Sequence, residues 1–273
     1  MQPPIASPFA DVDATAAALD AADYLADRDT VVTTWLAGAL GRPLLVEGPP
    51  GVGKTELAKA VARARGWGLL RLQCYEGLDE AKALYEWEYG KQMLYTQLVR
   101  EALAETVAGA ADLSEAVERV AAHDAAFFHE RFLIERPLLA ALRSEHPVVL
   151  LIDEVDRGDP EFEAMLLEVL SDFAVSIPEL GTLRARSRPF VVLTSNATRE
   201  LTEALRRRCL HLLLDFPSEA RELEIVRRRV PEASEALAKH LVRFVQSIRT
   251  AELRKTPCVA ETIDWARALV LLV

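Results

Sequence analysis

The stretch LLVEGPPGVGKTELAKAVA, residues 44–62, decides the fold class of this chain of 273 residues. Its apolar start predicts a short buried strand, and the good helix formers after Lys54 predict a helix. The three glycines between them allow backbone N–H groups to converge at the positive end of that helix, which is the geometry that binds a polyphosphate. The spacing G-x-x-x-x-G-K-T places Lys54 for the β- and γ-phosphates and the Thr55 hydroxyl for Mg²⁺.

The residues expected to bind the nucleotide follow one another without a break. They are Gly48, Pro49, Pro50, Gly51, Val52, Gly53, Lys54, Thr55 and Glu56. A glycine-rich turn that binds nothing would account for the glycines and Pro49. It would not account for a lysine and a threonine in the two positions where phosphate and metal chemistry need them.

Composition limits the class of protein. With 51% hydrophobic and 27% charged residues, the chain has ordinary globular composition. A net charge of −10 argues against a protein that mainly neutralises nucleic acid. The cysteines Cys74, Cys209 and Cys258 are far apart and predict free, mostly buried thiols. We find neither a signal peptide nor an apolar run long enough to span a bilayer, and we therefore expect a soluble, cytoplasmic protein.

Five segments have the pattern of buried strands, and helical patterns separate them. The predicted strands are Leu44–Glu47, Gly68–Cys74, Pro147–Asp153, Pro189–Asn196 and Cys209–Phe216. This alternation predicts an α/β fold with a five-stranded, mainly parallel sheet that helices cover on both faces. The phosphate loop is then expected at the carboxyl end of its strand.

The chain divides into a lead with a helix (1–28), an α/β nucleotide-binding domain (29–216) and a small helical subdomain (217–273). Residues 11–40 predict one or two helices that end at Gly41. An insertion at about 75–146 is too long for a loop. It carries no clear strand pattern, and helices are predicted in it at 91–108, 114–125 and 128–143. After Pro217 the helical patterns are 218–229, 231–250 and 259–273.

The stretch PVVLLIDEVDR, residues 147–157, predicts a buried strand that ends in two carboxylates. A buried charge without a partner is costly, so this pair needs a reason. Beside a phosphate loop, Asp153 is expected to hold Mg²⁺ through water, and Glu154 to act as the general base for an attacking water. A surface cap or ion pair explains one acid more easily than two.

Two further segments carry polar residues next to strands. PFVVLTSN (189–196) ends in Asn196, whose amide suits the orientation of a water, although a helix N-cap or turn residue is an equally good explanation. EALRRRCLHLLLDFP (203–217) contains Arg206, Arg207 and Arg208. One of these is expected to complete the active site of a neighbouring subunit as an arginine finger; the alternative is a solvated basic turn.

These motifs in this order resemble the AAA+ ATPases over residues 29–273. GPPGVGKT resembles Walker A, LLIDEVDR resembles Walker B, and Asn196 resembles sensor 1. Arg208 resembles the arginine finger, with Arg207 as the second candidate. The segments YEGLDEAKALYEWEYGKQML, FLIERPLLAAL and EFEAMLLEVLSDFAVSIPELGT are similar to the MoxR-type branch, and most similar to its carbon monoxide dehydrogenase accessory group.

The resemblance implies a P-loop fold that hydrolyses ATP to ADP and phosphate with Mg²⁺. It also implies a homo-oligomeric ring, usually a hexamer, with Arg208 acting in trans. The implied role is that of a chaperone that remodels a protein client while a metal-containing, molybdenum hydroxylase-like enzyme matures. A von Willebrand factor A-domain protein is the implied partner, and nucleic acid is not expected.

Two details of the branch bear on particular residues. A hairpin precedes the sensor 1 strand, and residues 173–189, which alternate around Gly181, are expected to supply it. The sensor 2 arginine is replaced by Val259 or Ala260 at the expected position. Nearby basic residues that are candidates to substitute for it are Arg254, Lys255 and Arg267.

Three other functions stay open at the level of sequence: a nucleic-acid-associated loader, a small-molecule P-loop kinase, and a nucleotide-gated scaffold that hydrolyses little. The aromatic residues Tyr75, Tyr85, Trp87, Tyr89 and Tyr95 either grip a client in the ring's channel or pack against the fold, and packing is favoured. The apolar face of residues 160–173 predicts a core helix.

Overall fold

The computed structural model describes residues 8–98, 133–177, 181–251 and 256–272. The strands in these residues are β1 (Leu44–Glu47), β2 (Gly68–Gln73), β3 (Tyr85–Trp87), β4 (Leu133–Glu135), β5 (Val148–Asp153), β6 (Ala174–Ile177), β7 (Gly181–Arg184), β8 (Phe190–Ser195) and β9 (Leu210–Leu213). The helices in the same residues are α1 (Val12–Ala21), α2 (Arg28–Leu40), α3 (Lys54–Arg65), α4 (Glu80–Leu84), α5 (Tyr89–Leu98), α6 (Pro137–Arg143), α7 (Pro160–Asp172), α8 (Glu203–Arg208), α9 (Glu219–Arg229), α10 (Glu235–Arg249) and α11 (Val259–Leu272).

The central sheet has five strands in the order β2, β5, β8, β1, β9. Every neighbouring pair in this sheet is parallel, which confirms the predicted sheet. All carboxyl ends of the strands therefore lie at one edge, where β1, β5 and β8 deliver the residues that follow them.

Both faces of the sheet are buried because the strand residues alternate between two cores. Leu44 and Val46 face one core, with α1, α2 and α3, whereas Leu45 faces the other, with α6 and α7. Neighbours in β5 alternate in the same way, so this strand is apolar without interruption. Phe162 and Leu166 of α7 lie in the second core, which confirms the predicted core helix.

The insertion differs from its prediction. Strands β3 and β4 form a separate antiparallel pair in which Tyr85 lies opposite Glu135, although no strand was predicted there and 128–143 was predicted to be helical. Each of these strands has three residues and its partner is distant in sequence, so the local pattern carries no signal for the pairing. The predicted helix at 114–125 and the adjoining ends of the other two predicted helices lie outside the described residues.

The predicted hairpin is present as the antiparallel pair β6 and β7, in which Ile177 lies opposite Gly181. After β9 the described chain is helical. Helices α9, α10 and α11 enclose their own small core around Val226, Val242 and Ala266. In the ranges that the structure describes, no helix combines the length and the apolar character needed to cross a bilayer.

Candidate nucleotide site

The loop between β1 and α3 depends on glycine at two positions. Gly48 has φ +151° and Gly51 has φ +75°. A Cβ at Gly48 would lie 1.9 Å from the carbonyl oxygen of Leu214, and a Cβ at Gly51 would lie 2.4 Å from the Cβ of Cys258. Backbone from the end of the sheet and a residue of the helical subdomain therefore press against the loop, so no larger residue can occupy either position.

The ammonium group of Lys54 is buried inside this loop. Its side chain is the first of α3, and the residue is only 6% exposed. The Nζ atom donates to the carbonyl oxygens of Gly48 (2.6 Å) and Pro49 (2.7 Å) and to Oδ1 of Asn196 (2.8 Å). Burial lowers the pKa of Lys54, and the carboxylates of Asp156, Asp153 and Glu154 oppose that shift. The loop thus holds a cation in the place where the motif predicted one.

Asp153 and Thr55 meet at the carboxyl end of β5. The hydroxyl of Thr55 donates to Asp153 Oδ1 at 3.0 Å, and the hydroxyl of Thr194 donates to the same oxygen. The guanidinium of Arg71, on β2, donates to Oδ2 at 2.6 Å. A carboxylate beside a hydroxyl is the oxygen donor set that Mg²⁺ prefers, and Thr55 keeps its lone pairs because it acts as the donor. The two residues predicted for Mg²⁺ therefore fit that ion.

Glu154 occupies a strained backbone position, with φ +56°. Its N–H donates to the Thr194 hydroxyl at 2.9 Å. Its Oε2 accepts from Nε2 of Gln73 (3.1 Å) and lies 2.9 Å from Nε of Arg157, while Oε1 accepts from Nδ2 of Asn196 (3.4 Å). The carboxylate thus lies beside the end of β2 and the residue that follows β8.

Asn196 joins the two halves of the site. Its amide oxygen accepts from Lys54 and its amide nitrogen donates to Glu154. The N-cap of the following helix α8 is Thr202, so Asn196 is not the cap that its residue type also permitted. Residues from the ends of β1, β5 and β8 thus lie within hydrogen-bond distance of one another, as the motifs predicted.

A cavity of about 310 Å³ adjoins the loop on the side of the helical subdomain. It is lined by Gly51, Val52, Gly53 and Glu56, by Asp23, Tyr24 and Leu25, and by Ile225, Arg228, Arg229, Val259, Ala260, Ile263, Asp264 and Arg267. Its mixture of charged and apolar lining residues suits a nucleotide base and sugar.

Arginines of α9 tie the C-terminal helices to α3 and to the end of α1 beside this cavity. Arg229 donates to the carbonyl oxygen of Asp23 and to Oε1 of Glu56 (3.1 Å), and Arg228 pairs with Asp20 (2.7 Å). Burial opposes ionisation of Glu56, but the bonds from Arg63 and Arg229 outweigh it and lower the pKa of that carboxyl. The described side-chain partners of Glu56 are thus basic, and one of them, Arg229, lines the cavity.

The sensor 2 candidates divide between the cavity and the residues that are not described. Val259, Ala260 and Arg267 line the cavity, and Arg267 lies 3.5 Å from Asp264 in the same helix. Arg254 and Lys255 lie outside the described residues. The identity of a sensor 2 residue therefore stays a prediction.

The arginine cluster lies away from the loop of its own chain. Arg207 pairs with Glu203, and Arg208 Nε donates to the Ser171 hydroxyl at 2.8 Å. Leu210, which follows the cluster, lies opposite Leu44 at the start of β1. A strand of four residues separates that point from the loop, a distance of roughly 13 Å. The structure does not bring these arginines to Lys54 within one subunit.

The aromatic residues of the insertion fall into two groups. Trp87 is 8% exposed, and its ring meets that of Tyr85 edge-on, with the centroids 6.0 Å apart. Tyr75, Tyr89 and Tyr95 are 47%, 68% and 40% exposed. Packing is therefore confirmed for Trp87, whereas for the exposed tyrosines packing and client binding both stay predictions.

Several residues at the site were not predicted from sequence. Arg71 and Gln73 stand two apart near the end of β2 and so share one face, which is a signal that becomes useful only once β2 is known to lie beside β5. Thr194, one residue before the end of β8, binds Asp153 and Glu154. The free, buried thiols of Cys74 and Cys209 agree with the prediction, and Cys258 is partly exposed.

Comparison with known proteins gives one family match. Residues 43–209, more than half of the chain, match the AAA domain, dynein-related subfamily. The matched region runs from the start of β1 to the end of α8 and includes every residue predicted to bind the nucleotide or Mg²⁺ or to act in catalysis, but not the sensor 2 candidates. A search of curated proteins finds no match for this chain.

Proposed function

This chain belongs to the AAA domain family, and from that premise we propose that it is an AAA+ ATPase that hydrolyses ATP with Mg²⁺. One observation carries the proposal. A buried lysine, a threonine hydroxyl, two acids and an asparagine from three strand ends form one hydrogen-bonded group beside a cavity of about 310 Å³. Such a group at the carboxyl edge of a parallel sheet is typical of nucleotide chemistry.

The chain's own residues divide the work of hydrolysis. The loop amides and Lys54 bind the phosphates, and Thr55 and Asp153 hold Mg²⁺, which neutralises phosphate charge when it is bound. Glu154 accepts the proton of the attacking water, and Asn196 orients that water. In the described structure both carboxylate oxygens of Glu154 are occupied by Gln73, Arg157 and Asn196. Each carboxylate oxygen has two lone pairs, so Oε1, whose described partner is Asn196 at 3.4 Å, keeps one for the proton of a water.

We further propose that a second copy of the chain in a ring completes the site with an arginine. Arg208 is the first candidate for this arginine, and Arg207 is the second. The distance of α8 from its own loop supports action in trans, and its exposed arginines face away from the core. An arginine supplied in this way contributes about 10³ to 10⁵ in rate.

The finer proposal is a MoxR-type chaperone, hexameric, that remodels a protein client during maturation of a metal-containing enzyme with a von Willebrand factor A-domain partner. It is supported by the resemblance of three segments of sequence, by the hairpin before β8 and by the exposed tyrosines Tyr75 and Tyr89. The acidic net charge of −10 favours a protein client over nucleic acid.

Phosphate release from ATP without any acceptor tests the proposal, since a kinase needs its acceptor. We expect phosphate release to stop when Mg²⁺ is chelated. We also expect Lys54→Met to abolish it. Lys59→Met is the matched control, because Lys59 lies on the same helix with its side chain 44% exposed. No release by the wild-type chain over a range of concentrations would overturn the proposal.

Mixing tests the ring. Arg208→Ala subunits added to wild type should reduce activity more than dilution does, because each one disables its neighbour's site. Full activity in a monomer would contradict action in trans. Capture of bound proteins by a Glu154→Gln variant with ATP would then identify the client.

A further inference from the structure

Four carboxylates are buried in the described part of the chain, and one of them, Asp156, forms no ion pair there, although its charge raises the pKa of Lys54. Asp153, Glu163 and Glu222 pair with Arg71, Arg199 and Arg249, respectively. Asp156 is 3% exposed, and no lysine, arginine or histidine of the described residues forms an ion pair with it. A buried charge without an ion pair does not add stability by itself, so its presence calls for another reason.

The hydrogen bonds that the Asp156 side chain accepts from other described residues come from one short segment after β8. Its Oδ1 accepts from the N–H of Asn196 (3.2 Å), and its Oδ2 accepts from the N–H (3.0 Å) and the hydroxyl (2.6 Å) of Thr198. Burial opposes ionisation of this carboxyl, but the bonds from Thr198 and Asn196 outweigh it and lower its pKa. Asp156 is therefore an anion at neutral pH whose charge is satisfied by two backbone amides and a hydroxyl.

The residue between these two amides is strained. Ala197 has φ +55°, which a residue with a Cβ rarely adopts. Such a conformation persists only where its surroundings over-determine it. Here the N–H groups on either side converge on Asp156, and the N–H of Ala197 itself donates to the Ser195 hydroxyl at 3.0 Å. The carboxylate thus holds a backbone turn that would otherwise relax.

We infer that Asp156 is a positioning residue for ATP hydrolysis, because it fixes the backbone from which the Asn196 amide reaches both Lys54 and Glu154. The amide oxygen of Asn196 lies 2.8 Å from Lys54 Nζ, and its nitrogen lies 3.4 Å from Glu154 Oε1. Loss of the carboxylate lets the turn at Ala197 relax and moves the amide away from this pair. The inference rests on the proposed ATPase function.

A double-mutant cycle between Asp156→Asn and Asn196→Ala tests the inference by kcat, KM and Tm. Asparagine keeps the shape of Asp156, but its NH₂ group cannot accept the hydrogen bonds that Asn196 and Thr198 donate to the carboxylate. We expect kcat to fall by about 10²-fold, as for a misplaced catalytic group, while KM for ATP stays within about threefold. In the Asn196→Ala background the same change should lower kcat by less than about twofold, because its effect passes through Asn196.

Two further variants keep the test decisive. Thr198→Val removes one bond to Asp156 without changing shape, and we expect a loss of about fivefold in kcat that also vanishes in the Asn196→Ala background. This variant replaces Asp156→Asn in the cycle if the latter does not fold. Asp29→Asn makes the same chemical change on the exposed start of α2 and should leave kcat unaltered.

The outcomes separate the inference from the proposed function. Equal kcat for wild type and Asp156→Asn overturns the inference, and so do losses that multiply in the double mutant. No turnover by the wild-type chain overturns the ATPase function and the inference with it. Both are supported if Asp156→Asn lowers kcat in the wild-type background and does not lower it further in the Asn196→Ala background.

Discussion

The helical subdomain and the edge of the sheet both bury acids, but they satisfy them differently. In the helical subdomain Glu222 is fully buried and accepts from both terminal nitrogens of Arg249 (2.6 and 2.7 Å), from Gln246 and from the Thr262 hydroxyl. Arg249 is itself buried and stacks over Phe216, 4.6 Å from the ring centroid. Every partner belongs to the same subdomain, so this acid joins α9, α10 and α11.

At the sheet edge the partners of the acids are partly in water. The side chain of Arg71, which pairs with Asp153, is 50% exposed, and that of Arg157, which pairs with Glu154, is 57% exposed. A half-exposed cation exchanges its partner at little cost, whereas a buried one does not. The same residue types thus stabilise a fold in one region and remain available to a ligand in the other.

The largest expected effect is on turnover at the sheet edge. Glu154→Gln should lower kcat by about 10² to 10⁴-fold, because it removes the general base. ATP binding should remain, since the phosphates contact other residues. The measurements are phosphate release and the affinity for a fluorescent ATP analogue. Glu145→Gln, at an exposed position, is the control. A kcat close to that of wild type would indicate a scaffold that hydrolyses little ATP. The acids at the sheet edge would then differ from Glu222 in exposure but not in catalytic role.

The next effect concerns the stability of the helical subdomain. Glu222→Gln leaves the buried Arg249 without its anion, so we expect the free energy of unfolding to fall by about 3 to 5 kcal/mol. Urea unfolding followed by circular dichroism measures it. Glu219→Gln on the same helix is the control, because its pair with Arg243 is exposed and is worth about 0.2 to 1 kcal/mol. Equal losses in both variants would refute the structural role of Glu222.

A smaller effect is expected where the two regions meet. Arg229→Ala removes partly exposed bonds to Glu56 and Asp23, so the affinity for ATP should fall by about two- to fivefold. Arg227→Ala is the matched control, because Arg227 pairs with Glu235 inside the helical subdomain. Calorimetry measures both affinities. A loss of about 100-fold or more would instead identify Arg229 as a direct ligand of the nucleotide.

The smallest expected effect is a difference in cysteine reactivity. It reports how deeply the thiols near the sheet and the thiol before α11 are buried. Burial raises the pKa of Cys74 and of Cys209 to about 12, so both stay protonated and unreactive at pH 8. Cys258 is partly exposed. Iodoacetamide should therefore modify Cys258 in the native protein, and all of the cysteines after denaturation, as mass spectrometry of peptides will show. Native modification of Cys74 would mean that the sheet edge opens.

Much of the fold could be predicted because its signals are local. β5 is apolar up to its last residue, Asp153, and β1 leads into a loop whose glycines and lysine have fixed spacing, so neither prediction needs knowledge of a distant partner. The carboxyl ends of parallel strands share one edge, so the strand pattern alone predicts that Thr55, Asp153 and Asn196 lie together.

The remainder depends on contacts between distant residues. The pairing of β3 with β4 joins short strands whose local composition permits helix, and Glu135 itself favours helix. The target of Asp156 is a turn about 40 residues further along the chain, and the tie from Arg229 to Glu56 spans 173 positions. Residue types alone do not specify such partners, so sequence reasoning named Asp153 and Glu154 but passed over Asp156.

The position of α8 has a consequence for assembly. The guanidinium of Arg42 donates to the carbonyl oxygens of Arg207, Arg208 and Cys209, which fastens the arginine-bearing end to the start of the sheet while the loop lies at the far end. Where copies join head to tail, the arginine-bearing surface of one copy meets the loop-bearing surface of the next. Such directional contacts either close into a ring or grow as a helical filament.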